Sequence, residues 1–66
     1  MREIREIKEM NNYRAVGIVE GFIDATGKEV NQAWQYLHST GLAYKLQGWY
    51  GRTAKYLIEA GTIKDK

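Results

Sequence analysis

Residues 47–55, QGWYGRTAK, gather the side chains best suited to recognition chemistry. Gln47 offers an amide that both donates and accepts hydrogen bonds. Trp49 and Tyr50 offer large rigid rings with a polar tip. Arg52 offers a planar fork of donors that matches a carboxylate or phosphate, and Lys55 adds a second cation beside it. Trp, Tyr and Arg also dominate binding hot spots. Gln47, Trp49, Tyr50, Arg52 and Lys55 are therefore the expected partner-binding surface. The aromatics admit a second reading, in which Trp49 plugs a small core. Gly51-Arg52-Thr53 likewise reads two ways. It is either a helix start whose free N–H groups face an anion, or a solvated cap with a surface arginine. No GxxxxGK[ST] pattern accompanies it.

Catalytic sets are missing from the sequence. There is no cysteine, and the one histidine, His38, cannot build a zinc site alone. His38 and Ser39 are helix neighbours and point apart. His38 reads as an exposed or helix-end residue. No carboxylates cluster in the sequence. The expectation is a non-enzyme without metal or cofactor.

The elements that must position these residues are helical. Proline is absent, and no stretch alternates apolar and polar residues as a strand would. Residues 2–10 place Ile4, Ile7 and Met10 on one side of an arm or frayed helix, with Arg2–Glu6 and Arg5–Glu9 spaced as ion pairs. Met10 is also a candidate second start. A helix is predicted over 12–24, capped by Asn12, with Ala15, Val19, Phe22 and Ile23 inward and Val16 alongside. Gly17 and Gly21 within it suggest either close approach of another helix or simple tolerance. Thr26-Gly-Lys-Glu29 is a capping box that opens a helix over 27–39, with Val30, Ala33, Trp34 and Leu37 as its core stripe. Gly41 ends it, with Leu37 and Leu42 in apolar contact. Residues 42–47 read as a short helix with Leu42, Ala43 and Leu46 inward, and residues 47–51 as a turn. A last helix is predicted over 52–60, with Ala54, Leu57 and Ile58 inward. Gly61 stops it and Ile63 folds back. The whole is an all-α compact bundle of three to four short helices, one domain over residues 1–66, with residues 1–10 as an arm or frayed helix.

A single core this small is marginal, and without disulfides or a metal it favours self-association, so a homo-oligomer is expected. Net charge is +2, split as −1 over residues 1–27 and +3 over residues 28–66. That bias suits an acidic partner or a phosphate but is weak for a dedicated nucleic-acid binder. No apolar run approaches the ~20 residues of a membrane span, and MREIREIKEM lacks the apolar core of a signal peptide. The chain reads as a soluble cytoplasmic protein that does not engage a membrane.

The stretch TGLAYKLQGWYGRTAKYLIEAG, residues 40–61, resembles a signature of small accessory proteins encoded by tailed bacteriophages and prophages. The pattern runs TGLAWQLQG, one or two bulky residues, GRTA and LIEAG. TGLA at 40–43, LQG at 46–48, GRTA at 51–54 and LIEAG at 57–61 match it, while Tyr44 and Lys45 stand where the pattern has Trp-Gln. The resemblance implies a phage accessory protein in the bacterial cytoplasm and carries no activity with it. Proteins of that kind act by occupancy, so the expected function is binding of a host or phage protein, as in host takeover or anti-defence inhibition. Two alternatives stand beside it. One is a helix-turn-helix DNA regulator, in which LAYKL and RTAKYLIEAG form the two helices and Arg52, Lys55 and Tyr56 reach DNA. The other is a nucleotide-binding sponge that presents Arg52 to phosphates.

Overall fold

Helix α1 (Asn12–Glu20) starts at the predicted residue, but its cap lies one residue earlier than expected. The computed structural model describes residues 10–65, so the arm reading of residues 1–9 lies outside it, while Met10 packs partly buried on the core. Asn11, not Asn12, is the N-cap: its side chain accepts the Arg14 amide at 2.8 Å. Asn12, released from capping, accepts the Tyr36 hydroxyl at 2.6 Å and ties α1 to the next helix.

The helix also ends early. Gly21 turns left-handed at φ 87°, and the Phe22 and Gly21 amides bond back to Gly17 and Ile18. That is a Schellman ending, which stops α1 four residues short of the predicted boundary. The reversal sends Phe22 into solvent, 83% exposed, instead of inward. Ile23 folds back over Gly17, where a Cβ would meet Ile23 Cδ1 at 2.5 Å. Gly17 therefore makes room for the chain's own return and not for a second helix.

Helix α2 (Gly27–Ser39) forms as its signals dictate. Thr26 Oγ1 accepts the Glu29 amide at 3.1 Å, and the Glu29 carboxylate accepts the Thr26 amide at 2.9 Å. The same carboxylate reaches Arg14 of α1 at 3.4 Å. Ala33, Trp34 and Leu37 are buried, with Val30 partly so. Gly41 ends the helix at φ 80°. The Leu42 amide bonds the Thr40 hydroxyl at 3.4 Å there, in place of the long back-bond to Leu37.

A three-residue 3-10 turn, Leu42–Tyr44, replaces the predicted short helix. Ala43 is buried by it, but Leu46 stays 37% exposed. Helix α3 (Gly48–Glu59) then begins four residues before its predicted start, with Gln47 as an extended N-cap. The GWYG segment is thus the first turn of a helix and not a bend. The reason is burial. Tyr50, Ala54 and Ile58 continue one i, i+4, i+8 stripe, and burying an aromatic there outweighs roughly 1 kcal/mol of propensity lost at each glycine. Gly61 ends α3 in a second Schellman motif, with Thr62 N–H to Leu57 at 2.9 Å, and Ile63 returns to the core at 4% exposure.

α1, the 3-10 turn and α3 all pack against α2. Ala15, Ala33, Ala43 and Ala54 let backbones approach, while Trp34, Leu37 and Tyr50 fill the volume between them. The described residues form a small all-α bundle of three helices.

Candidate functional site

The first turn of α3 separates the expected contact residues. Tyr50 is 2% exposed and belongs to the core. Its ring lies 6.0 Å from Trp34, and its hydroxyl donates to the Glu20 carboxylate at the end of α1. Burial, helped by that bond and by the nearby negative charge, pushes its pKa up from 10.0 to about 12. An enclosed phenol makes no partner contact, so Tyr50 leaves the candidate surface.

Trp49 is half-buried, stacked on Tyr50 at 4.1 Å and edge-on to Trp34 at 6.3 Å, and it donates Nε1–H to Gln47 at 3.1 Å. It is therefore largely packing. Gln47, Arg52 and Lys55 are exposed. Arg52 and Lys55 share one outer stripe of α3, and neither is paired among the described residues. Because α3 starts at Gly48, the amides of 51–53 lie inside the helix and offer no anion cap. The helix-turn-helix arrangement does not form either, since its first helix is the 3-10 turn.

Lys55 opens onto a cleft of about 360 Å³, shared with His38, Tyr44, Ile58, Glu59 and Asp65. The C-terminal residues are strapped over the end of α2 to make it. The Gln35 amide pairs reciprocally with the Lys64 backbone, donating to its carbonyl at 2.8 Å and accepting its N–H at 2.7 Å. His38 Nε2 then stands 2.6 Å from the Asp65 carbonyl and 3.2 Å from the Asp65 carboxylate. A carbonyl only accepts, so Nε2 carries a proton. In the neutral ring Nδ1 is then the acceptor, and the Tyr44 hydroxyl donates to it at 2.6 Å. The Tyr44 ring can lie there because of Gly51, where a Cβ would press on it at 3.3 Å.

His38 is thus a helix-end residue as read, but its side chain is only 12% exposed. The Tyr44–His38–Asp65 constellation was not legible in the sequence. Its members are 6 and 27 residues apart, and only the folded-back tail unites them.

An uncharged cleft of about 440 Å³ opens between α1 and the 3-10 turn. Asn12, Tyr13, Val16, Phe22, Leu42 and Leu46 line it. Tyr13 is 81% exposed and Phe22 83%. The sequence reading assigned Phe22, Leu42 and Leu46 to the core, so this surface was missed. The signal lay in Gly21, whose left-handed turn turns Phe22 outward.

No helix among the described residues is long and apolar enough to cross a membrane. A protein-family model described as "Domain of unknown function (DUF7417)" matches residues 20–66. No curated protein and no solved structure matches the chain.

Proposed function

Because the chain belongs to that family of unknown function, its role must be read from its own surface, and we propose that it is a non-enzymatic binding protein that occupies a host or phage protein. The phage setting, in the cytoplasm of an infected bacterium, rests on the resemblance of residues 40–61. The observation that carries the binding role is the cleft framed by Tyr13 and Phe22. Covering one such aromatic gains roughly 1.5–3 kcal/mol. Leaving two in water forgoes an amount comparable to the whole stability of a domain this size, roughly 3–10 kcal/mol. A macromolecular partner supplies that cover. The cleft carries no charged lining, so it favours an apolar protein segment over a nucleic acid, whose affinity comes from phosphate contacts. Gln47, Arg52 and Lys55 supply polar contacts elsewhere on the surface.

The test places a photo-crosslinking phenylalanine analogue at position 22 in phage-infected cells. One dominant adduct is expected, absent when the analogue sits at the exposed Lys28. Phe22→Ser should then weaken binding of the captured protein about 10- to 100-fold, the range of a hot spot. Indiscriminate crosslinking from both positions, or unchanged affinity, refutes the assignment. An adduct between two copies of this chain would replace the heterologous partner by the homo-oligomer that the chain's small size favours.

A further inference from the structure

The cleft beside His38 holds a nucleophile, a base and an orienting group in hydrogen-bond order, which is the arrangement that activates a hydroxyl. The geometry points to Tyr44 as a base-activated phenol that accepts an acyl group from a small activated acyl donor bound in this cleft. Four observations support it. The Tyr44 hydroxyl already donates to a ring nitrogen at 2.6 Å, within reach for proton transfer. The opposite nitrogen is held by the Asp65 carbonyl at 2.6 Å, so the tautomer that leaves Nδ1 free to accept is fixed. The Asp65 carboxylate, 3.2 Å from the same nitrogen, stabilises the imidazolium that would form. Tyr44 is 47% exposed at the mouth of the cleft, so an electrophile can reach its oxygen.

The chemistry balances without a further reactant. The Tyr44 oxygen attacks the acyl carbon, and the phenolic proton passes to His38 Nδ1. The new O–C bond forms as the bond to the leaving group breaks. The leaving group departs with the bonding pair and takes up that proton. Lys55 lines the cleft and can offset negative charge on the acyl oxygen. Glu59 and Asp65 outnumber it there, which disfavours a phosphoryl dianion and selects the uncharged acyl class.

The chain contains its own controls. Tyr13 and Tyr56 are more exposed, at 81% and 67%, and no base adjoins either hydroxyl among the described residues. The full chain is treated with limiting N-acetylimidazole, and O-acetyl groups, identified by release with hydroxylamine, are mapped by peptide mass spectrometry over time. Tyr44 should be acetylated at least about tenfold faster than Tyr13 or Tyr56, a threshold set below the roughly 100-fold that a positioned base contributes because Tyr44 is the least exposed of the three. His38→Gln, which keeps hydrogen bonding but supplies no base, should bring Tyr44 down to the rate of Tyr13. Slower or equal labelling of Tyr44 in the native chain overturns the proposal by itself, even if the variant fails to fold. Fast labelling that survives His38→Gln, with the Tyr13 rate unchanged, overturns the role of His38.

Discussion

Tyr50 shows how one side chain can be read correctly by type and wrongly by place. Its ring and polar tip suit an interface, yet both are consumed internally: the ring fills the core beside Trp34 and the hydroxyl bonds Glu20. This has a consequence at alkaline pH. The folded state raises the phenol from 10.0 to about 12, so it holds that proton more tightly than the unfolded chain does. The stabilisation is complete below the unfolded value and is lost as pH climbs from about 10 through about 12. Denaturant melts across that range should show a steep loss in the native protein and a flatter one in Tyr50→Phe. Equal slopes would mean that Tyr50 contributes nothing to the alkaline limb. Trp49 carries a related lesson. Its truncation removes core packing together with any contact, so a binding defect in Trp49→Ala would not identify a partner surface, whereas one in the exposed Arg52→Ala would.

At the scale of elements, glycines decide where helices end and where the chain can pack back on itself, and they do so by different physics. Gly21, Gly41 and Gly61 adopt left-handed backbone that L side chains rarely take, and each reverses the chain after a helix. Gly17 is helical and is required by a neighbour, Ile23, whose Cδ1 and Cγ1 stand 2.5 and 2.8 Å from where a Cβ would be. Gly48 is helical too, but there a Cβ would meet only the exposed tip of Arg52, at 3.1 Å. The two should therefore respond in opposite senses. Gly17→Ala should lose about 1–3 kcal/mol to overpacking despite its better helix propensity, and adding Ile23→Ala should recover part of it. Gly48→Ala should gain about 0.5 kcal/mol. Thermal melts of the three variants decide this, and a stabilised Gly17→Ala would show that the Ile23 hook yields freely.

For the molecule as a whole, the C-terminal tail closes the structure. Ile63 is buried, the Gln35 amide mimics a strand partner for Lys64, and His38 holds Asp65. Gln35→Ala should raise amide exchange at Lys64 and its neighbours at least about tenfold, equivalent to roughly 1.4 kcal/mol of lost local protection. Exchange in α1 should stay unchanged. An unaltered tail would show that Ile63 alone anchors it. The tail also explains which features could be read in advance. The capping box at Thr26, the α2 stripe, the αL stops at Gly41 and Gly61 and the return of Ile63 are written in local sequence, because each depends on residues within a few positions of one another. The all-α class follows from the same local periodicities. The early end of α1, the early start of α3 and the fate of Phe22 and Tyr50 were decided by tertiary burial, which weighs apolar area against glycine propensity over the whole chain. Neither cleft was legible either. One joins α1 to the 3-10 turn and the other joins His38 to Asp65, and such distant residues meet only when the core has closed between them.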